Sequence, residues 1–360
     1  MPQREQIKSC KQFCYKKNYF IAFFVFVGFH LSSFSQPAIG FWREHLPYQN
    51  TIQVVKGNKV FCATINNVFS IDADNELQRY SKVNGLNDIG VNAINWDDAT
   101  QQLIIAYNNS NVDILKGDIV KNIGDIKRSN IAGNKNINSI YCKNGLAYLC
   151  SGLGIIVADL KRYEIKDTWI IGNNGSQTKI NAITTDDNFF YAATDQGLKR
   201  TNINNSNLSN FSNWQNSSGT NGLSNGIIAN VINCNNKIIV QKRDSLFVLN
   251  GTTWSLFYAD INWQIVSINS SENKVLVCQR TIAGASRVIQ LSNTGTIEKT
   301  LAQPNVISFP KQATLIDGDV WIADFFGGLS KFTNSFQQYI PNGPLGNVSG
   351  SMIFINDILY

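Results

Sequence analysis

One four-residue pattern recurs seven times along this chain, and that repeat constrains the fold more than any other feature of the sequence. The copies are Val60-Phe61-Cys62-Ala63, Leu103-Ile104-Ile105-Ala106, Ala147-Tyr148-Leu149-Cys150 and Phe190-Tyr191-Ala192-Ala193. They continue as Ile238-Ile239-Val240-Gln241, Val275-Leu276-Val277-Cys278 and Val320-Trp321-Ile322-Ala323. Their last residues are 43, 44, 43, 48, 37 and 45 positions apart, the length of one four-stranded propeller blade. Each copy reads as the second strand of a blade. Its terminal residue is small in six copies, with Gln241 the exception, as crowding near a central axis requires.

The flanking residues agree. Asn144-Gly145, Asn235-Asn236 and Asp317-Gly318 sit where a tight hairpin into the second strand needs positive φ. Third strands follow at 68–71, 112–115, 155–158, 246–249 and 329–332. Weaker outer strands run over 77–80, 254–258 and 336–339. No segment keeps a helical period, so the expectation is an all-β, seven-bladed β-propeller of four-stranded blades. An eighth repeat begins near Ser349 and the sequence stops at Tyr360 inside its second strand. The chain is therefore expected to be a fragment, with 346–360 starting a further blade or a second propeller. Trp42 to His45 resembles a lone outer strand that would complete the last blade and close the ring, with the position of that blade, before or after residue 360, left open.

The first 35 residues are set aside as a signal peptide. Arg4, Lys8, Lys11, Lys16 and Lys17 precede an apolar run from Tyr19 to Phe29, and Ser33 and Ser35 place cleavage near Ser35/Gln36. The apolar run is roughly ten residues short of a ~30 Å membrane core. This leader holds five of the 31 basic and one of the 25 acidic residues. The remainder, with the first propeller at 36–345, carries 26 against 24, which argues against nucleic acid as a partner.

Catalytic chemistry finds little to work with, and no cofactor or metal is implied. Cys62, Cys142, Cys150, Cys234 and Cys278 remain outside the leader, an odd number. With a two-residue Asn144-Gly145 turn, Cys142 faces Ala147 and Cys150 lies opposite Ser139, which forbids a bridge inside that hairpin. These cysteines read as small buried hydrophobes. His45 is the one histidine outside the leader and reads as structural. Asp97, Asp98, Asp186, Asp187, Asp317 and Asp319 are where a glycosidase pair would be sought. They occupy equivalent turns of different blades and read as solvated turn residues. Gly152-Leu153-Gly154 lies between two strands and reads as a turn, not a phosphate loop. Trp96, Trp169, Trp214, Trp254, Trp263 and Trp321 are spread over the blades and read mostly as blade-to-blade packing, a minority being free to stack on sugars.

Several stretches resemble the PorZ family of the Bacteroidetes type IX secretion system. They are Ile39 to Tyr48 (IGFWREHLPY), Ser81 to Ile94 (SKVNGLNDIGVNAI), Leu103 to Leu115 (LIIAYNNSNVDIL) and Gly152 to Gly172 (GLGIIVADLKRYEIKDTWIIG). Asp317 to Phe332 (DGDVWIADFFGGLSKF) is similar but less specific. The resemblance implies a surface or outer-membrane protein with two propellers and a sorting domain, of which this chain supplies the first propeller. It also implies action with the PorU sortase, PorV and PorQ on cargo bound for anionic lipopolysaccharide. No ligand-binding residue is carried over, and a glycan ligand's contacts are left unassigned. Two other classes remain open. Gly85-Leu86-Asn87 and Gly222-Leu223-Ser224-Asn225 resemble turns of periplasmic sensor propellers in hybrid two-component regulators, and a polysaccharide hydrolase or lyase is the third.

Overall fold

The computed structural model describes residues 46–344, together with a short antiparallel pair, Phe354–Ile355 and Ile358–Leu359. The leader, the Trp42 to His45 segment with His45, and most of the eighth repeat lie outside the described residues. Seven antiparallel sheets of four strands each follow one another along the chain, spanning 51–80, 91–123, 137–169, 180–216, 230–259, 264–301 and 310–339. They are the seven blades of a β-propeller. One helical turn, Asp125–Arg128, interrupts the connector between blades 2 and 3.

Local chemistry explains each blade. Asn144-Gly145, Asn235-Asn236 and Asp317-Gly318 all take positive φ at both positions, the two-residue turn geometry that matches strand twist. The register places Ala147 opposite Cys142 and Cys150 opposite Ser139, as the turn requires. Second strands are buried almost throughout, as in Gln102–Tyr107, because both their faces lie against neighbouring blades. Outer strands are mostly wet but end on a large buried residue, such as Tyr80, Ile123, Trp169, Tyr258 or Tyr339. At that point the chain turns inward to begin the next blade.

The apolar core is not one body. It is seven clusters, each shared by adjacent blades. Phe61, Tyr80, Trp96 and Leu103 join blades 1 and 2, and Tyr48, Phe69, Trp321 and Tyr339 join blades 7 and 1. The last of these explains how the ring closes. Blade 7 already has its own outer strand, Phe336–Tyr339, so no strand from the N-terminal side is needed to complete it. Closure comes from face packing and from side chains reaching across. Thr51 Oγ1 donates to Asp324 O at 2.8 Å, Asn50 Nδ2 to Phe325 O at 2.9 Å, and Gln49 Nε2 to Phe326 O at 2.6 Å.

The first strand of each blade is innermost, and one of its edges faces the axis without a partner strand. Unpaired backbone groups there need another solution. Asparagine, glutamine and serine side chains supply it at all seven blade boundaries. Asn95 Nδ2 donates to Ile140 O at 2.8 Å, Ser139 Oγ to Asn181 O at 2.9 Å, and Asn269 Nδ2 to Ala313 O at 3.1 Å. Asn181 Nδ2 reaches Ile228 O at 2.9 Å and Asn230 Nδ2 reaches Ile268 O at 3.3 Å. Gln53 and Gln312 act as acceptors, from Ile94 N at 2.9 Å and Val54 N at 2.8 Å. Gln241, the exception to the small-residue rule, joins this belt by donating to Ile265 O at 3.2 Å.

Asn95→Ala tests the belt. It removes the bond to Ile140 O and the one Asn95 Oδ1 accepts from Trp96 N at 2.8 Å. The expected loss is about 1–2 kcal/mol, read from the shift of the urea midpoint. An unchanged midpoint would make the belt dispensable.

Candidate functional site

The inner strands enclose a central channel of about 430 Å³, lined by groups such as Asn95, Ser139, Thr184, Asn230, Asn269 and Gln312. Lys56 and Asp98 are its charged lining residues, and both are matched. Asp98 Oδ1 accepts from Trp96 Nε1 at 2.9 Å, and Lys56 pairs with Asp317 at 2.5 Å. The channel is thus a neutral polar tube whose amides are mostly committed to the backbone. Such a surface suits recognition by hydrogen bonds at its mouths more than proton transfer.

The six carboxylates singled out in the sequence fall two to a hairpin in blades 2, 4 and 7. Asp98, Asp187 and Asp317 are exposed, as turn residues should be. Asp97 is a correction: it is only 2 % exposed. Its Oδ2 accepts from Thr100 N at 2.9 Å and from Thr100 Oγ1 at 2.7 Å, which knits the following turn. Asp186 is half-buried and accepts from Asn188 N, Phe189 N and Tyr191 Oη at 2.7–2.9 Å. Asp319 is paired with Lys331 at 2.8 Å, which holds its carboxyl below the usual range. Among the described residues, no three His, Cys, Asp or Glu side chains converge as metal ligands would.

Two further buried carboxylates had no sequence signal. Asp324 Oδ2 accepts from Ser308 N and Phe309 N at 2.8 and 2.7 Å, and its Oδ1 from Phe326 N and Gly327 N at 3.0 and 2.7 Å. Asp113 accepts from Asn87 N, Tyr107 Oη and the amides of Asn87 and Asn122 at 2.7–2.9 Å. Both organise loops, and neither leaves a free oxygen aimed at the channel.

The five cysteines among the described residues are free thiols. Burial pushes Cys150 and Cys278 up to about 12, and Cys62 and Cys142 are raised for the same reason. A protonated thiol is a poor nucleophile, so a colorimetric thiol assay at pH 8 of the folded protein without residues 1–35 should score Cys142 at most, the other four appearing only with urea. Rapid native labelling of Cys150 or Cys278 would contradict this. Five of the tryptophans are buried between blades, and Trp263 is half-buried with the Arg287 guanidinium 4.0 Å over its ring. Trp263 is therefore not an open stacking platform.

Residues 60–215, from the second strand of blade 1 to the last strand of blade 4, match the family model of the PorZ N-terminal β-propeller domain. No curated protein sequence matches the chain. Among solved structures, it is similar to PorZ of Porphyromonas gingivalis, described as an essential bacterial surface component of the type IX secretion system. The TM-score is 0.71 at 19 % identity, over 89 % of this chain and 42 % of that one. The extracellular domain of a putative one-component system from B. thetaiotaomicron is similar at a TM-score of 0.57 and 13 % identity, over 80 % and 39 %. The Cps50 (Swd1) propeller of Myceliophteria thermophila gives 0.61 and 9 %, over 82 % of this chain and 100 % of that one. This chain thus spans less than half the length of the PorZ structure. Structural likeness at these identities is likeness of fold; over residues 60–215, blades 1 to 4, the chain is also similar in sequence to the PorZ N-terminal β-propeller domain.

Proposed function

We propose that this chain is a non-catalytic scaffold and binding module of the type IX protein secretion system. In this reading it is exported by the leader at 1–35 and acts at the cell surface or outer membrane. It works there with the PorU sortase, PorV and PorQ in attaching secreted cargo to anionic lipopolysaccharide. The observation that carries the reading is the PorZ family match over 60–215. The site geometry supports it. Buried carboxylates are tied to backbone N–H groups and the channel is neutral and polar, an arrangement suited to holding partners. Deleting the gene tests the reading directly: secreted cargo should lose its surface anchoring. Normal anchoring in the deletion strain would refute it.

A second reading has its own support, since extracellular domains of putative one-component and hybrid two-component systems share this fold at TM-scores of 0.57 and 0.58. In that case the propeller senses a periplasmic ligand. Sequencing the surrounding locus separates the two. An in-frame transmembrane helix and kinase would favour the sensor, and a short β-rich sorting domain would favour secretion.

A further inference from the structure

Three phenylalanines meet at the end of the propeller from which the second-to-third-strand hairpins and the blade connectors emerge. Phe309 ends the connector into blade 7, while Phe325 and Phe326 form that blade's hairpin. Their ring centroids lie 5.1–6.3 Å apart, and Phe325 N donates to Phe309 O at 3.0 Å. Two cations converge on the Phe309 ring. Lys311 Nζ sits 3.6 Å from its centroid, and the Arg280 guanidinium, from blade 6, sits 4.8 Å away.

Among the described residues, neither cation has a carboxylate within ion-pair distance. The neighbouring acid is Asp324, and both its oxygens are taken by backbone N–H groups. Arg280 Nε is buried without an acceptor. Burial lowers the Lys311 pKa and the charge of Arg280 lowers it further, against a smaller upward pull from the Asp324 carboxylate. Two like charges are thus held over one ring, with the Arg280 Nε donor unmatched and no carboxylate in ion-pair contact with either. An electron-rich ring face offsets part of that repulsion; an oxyanion would remove it and accept from the guanidinium and ammonium.

The rim says what carries that oxyanion. Ile282, in the blade 6 hairpin, is 93 % exposed, and Phe326 is 52 % exposed. Ile261, in the connector from blade 5 to blade 6 at the same end of the ring, is 99 % exposed. Branched aliphatic side chains at such exposure are covered by apolar side chains, not by sugar hydroxyls. The Phe309 face is occupied by cations, so it offers no platform for a sugar ring. A membrane surface calls for a broad basic patch, whereas this site holds two half-buried cations.

We propose that Arg280 and Lys311 form a two-point receptor for a carboxylate on an acidic, apolar protein segment that docks across the hairpins of blades 6 and 7. The site stands on local geometry and does not depend on the secretion reading.

The test is performed with the full chain against an immobilised library of ten-residue peptides in which Asp, Glu, Asn, Gln, Leu, Ile and Phe vary. Retained peptides should carry a carboxylate flanked by apolar residues, and amide counterparts should bind at least ten-fold more weakly. Arg280→Gln and Lys311→Gln should each weaken retention ten-fold or more, and Lys311→Arg should keep most of it. The melting temperature of Lys311→Gln should equal or exceed that of the parent, because repulsion is relieved. A lower melting temperature with unchanged peptide retention would make the pair a packing device and overturn the proposal. Retention without an acid requirement would also overturn it. So would tighter binding of phosphatidylglycerol vesicles or glucose 1-phosphate, lost in the same variants, which would assign the site to a lipid or a glycan.

Discussion

Asp324→Asn will destabilise the propeller by about 4 kcal/mol, although it changes neither the size nor the shape of the side chain. The carboxylate is fully buried and accepts four backbone N–H groups, two on each oxygen. An asparagine keeps one oxygen and turns an NH₂ toward the other two donors. Those N–H groups would then face hydrogens inside the protein, losing their partners and repelling the newcomer. Alanine leaves all four unmatched and should be no better. The damage should also spread to the closure. Asp324 O accepts from Thr51 Oγ1, and the hairpin it shapes presents the carbonyls that Gln49 and Asn50 bind. Urea unfolding gives the magnitude. Hydrogen exchange gives the place, with protection lost at 306–309, 325–328 and 49–51. Asp187→Asn is the control, because Asp187 is exposed and accepts only a 3.2 Å bond from Asn236. A loss for Asp324→Asn as small as the control's would remove the claim that this carboxylate organises the seam.

Trp169→Ala should cost about 3–5 kcal/mol, for a different reason. Trp169 closes the outer strand of blade 3 and is buried in the interface with blade 4. Its ring lies 5.5 Å from both Tyr148 and Phe190 and 6.0 Å from Trp214. Its Nε1 donates to Asp167 Oδ2 at 2.8 Å. Truncation opens a void between four-stranded sheets whose inner strands are pinned by the amide belt, so the rings cannot collapse to fill it. Trp263→Ala, at a half-buried ring covered by Arg287, should cost about 1 kcal/mol, the size of a partly exposed cation–π contact. Equal midpoints for the two variants would show that blade interfaces tolerate voids.

The two predictions sit at opposite ends of what a sequence reveals. Trp169 was legible as interface packing because the tryptophans are spread over the blades. Asp324 was not, although it follows the small residue of the seventh copy directly. Nothing in the string distinguishes it from the aspartates of exposed turns. Asp97 shows the same blindness: it reads as a solvated turn residue and is buried. The second strands and the third and outer strands expected from the sequence fall within a residue or two of their places, because turn chemistry and apolar runs are local. Blade 7 has four strands of its own, and the Trp42 to His45 strand expected from the sequence lies outside the described residues.

By itself, then, the sequence determined the number of blades, the hairpin turns and the strands that would be dry, because each is written in residues a few positions apart. Tertiary structure decided which asparagines bridge blades, how the ring shuts and where two cations share a ring. Those partners stand far apart in the chain, 45 positions for Asn95 and Ile140 and 273 for Thr51 and Asp324. No periodicity within one blade encodes such a meeting; only the closed circle of seven sheets brings the groups within reach.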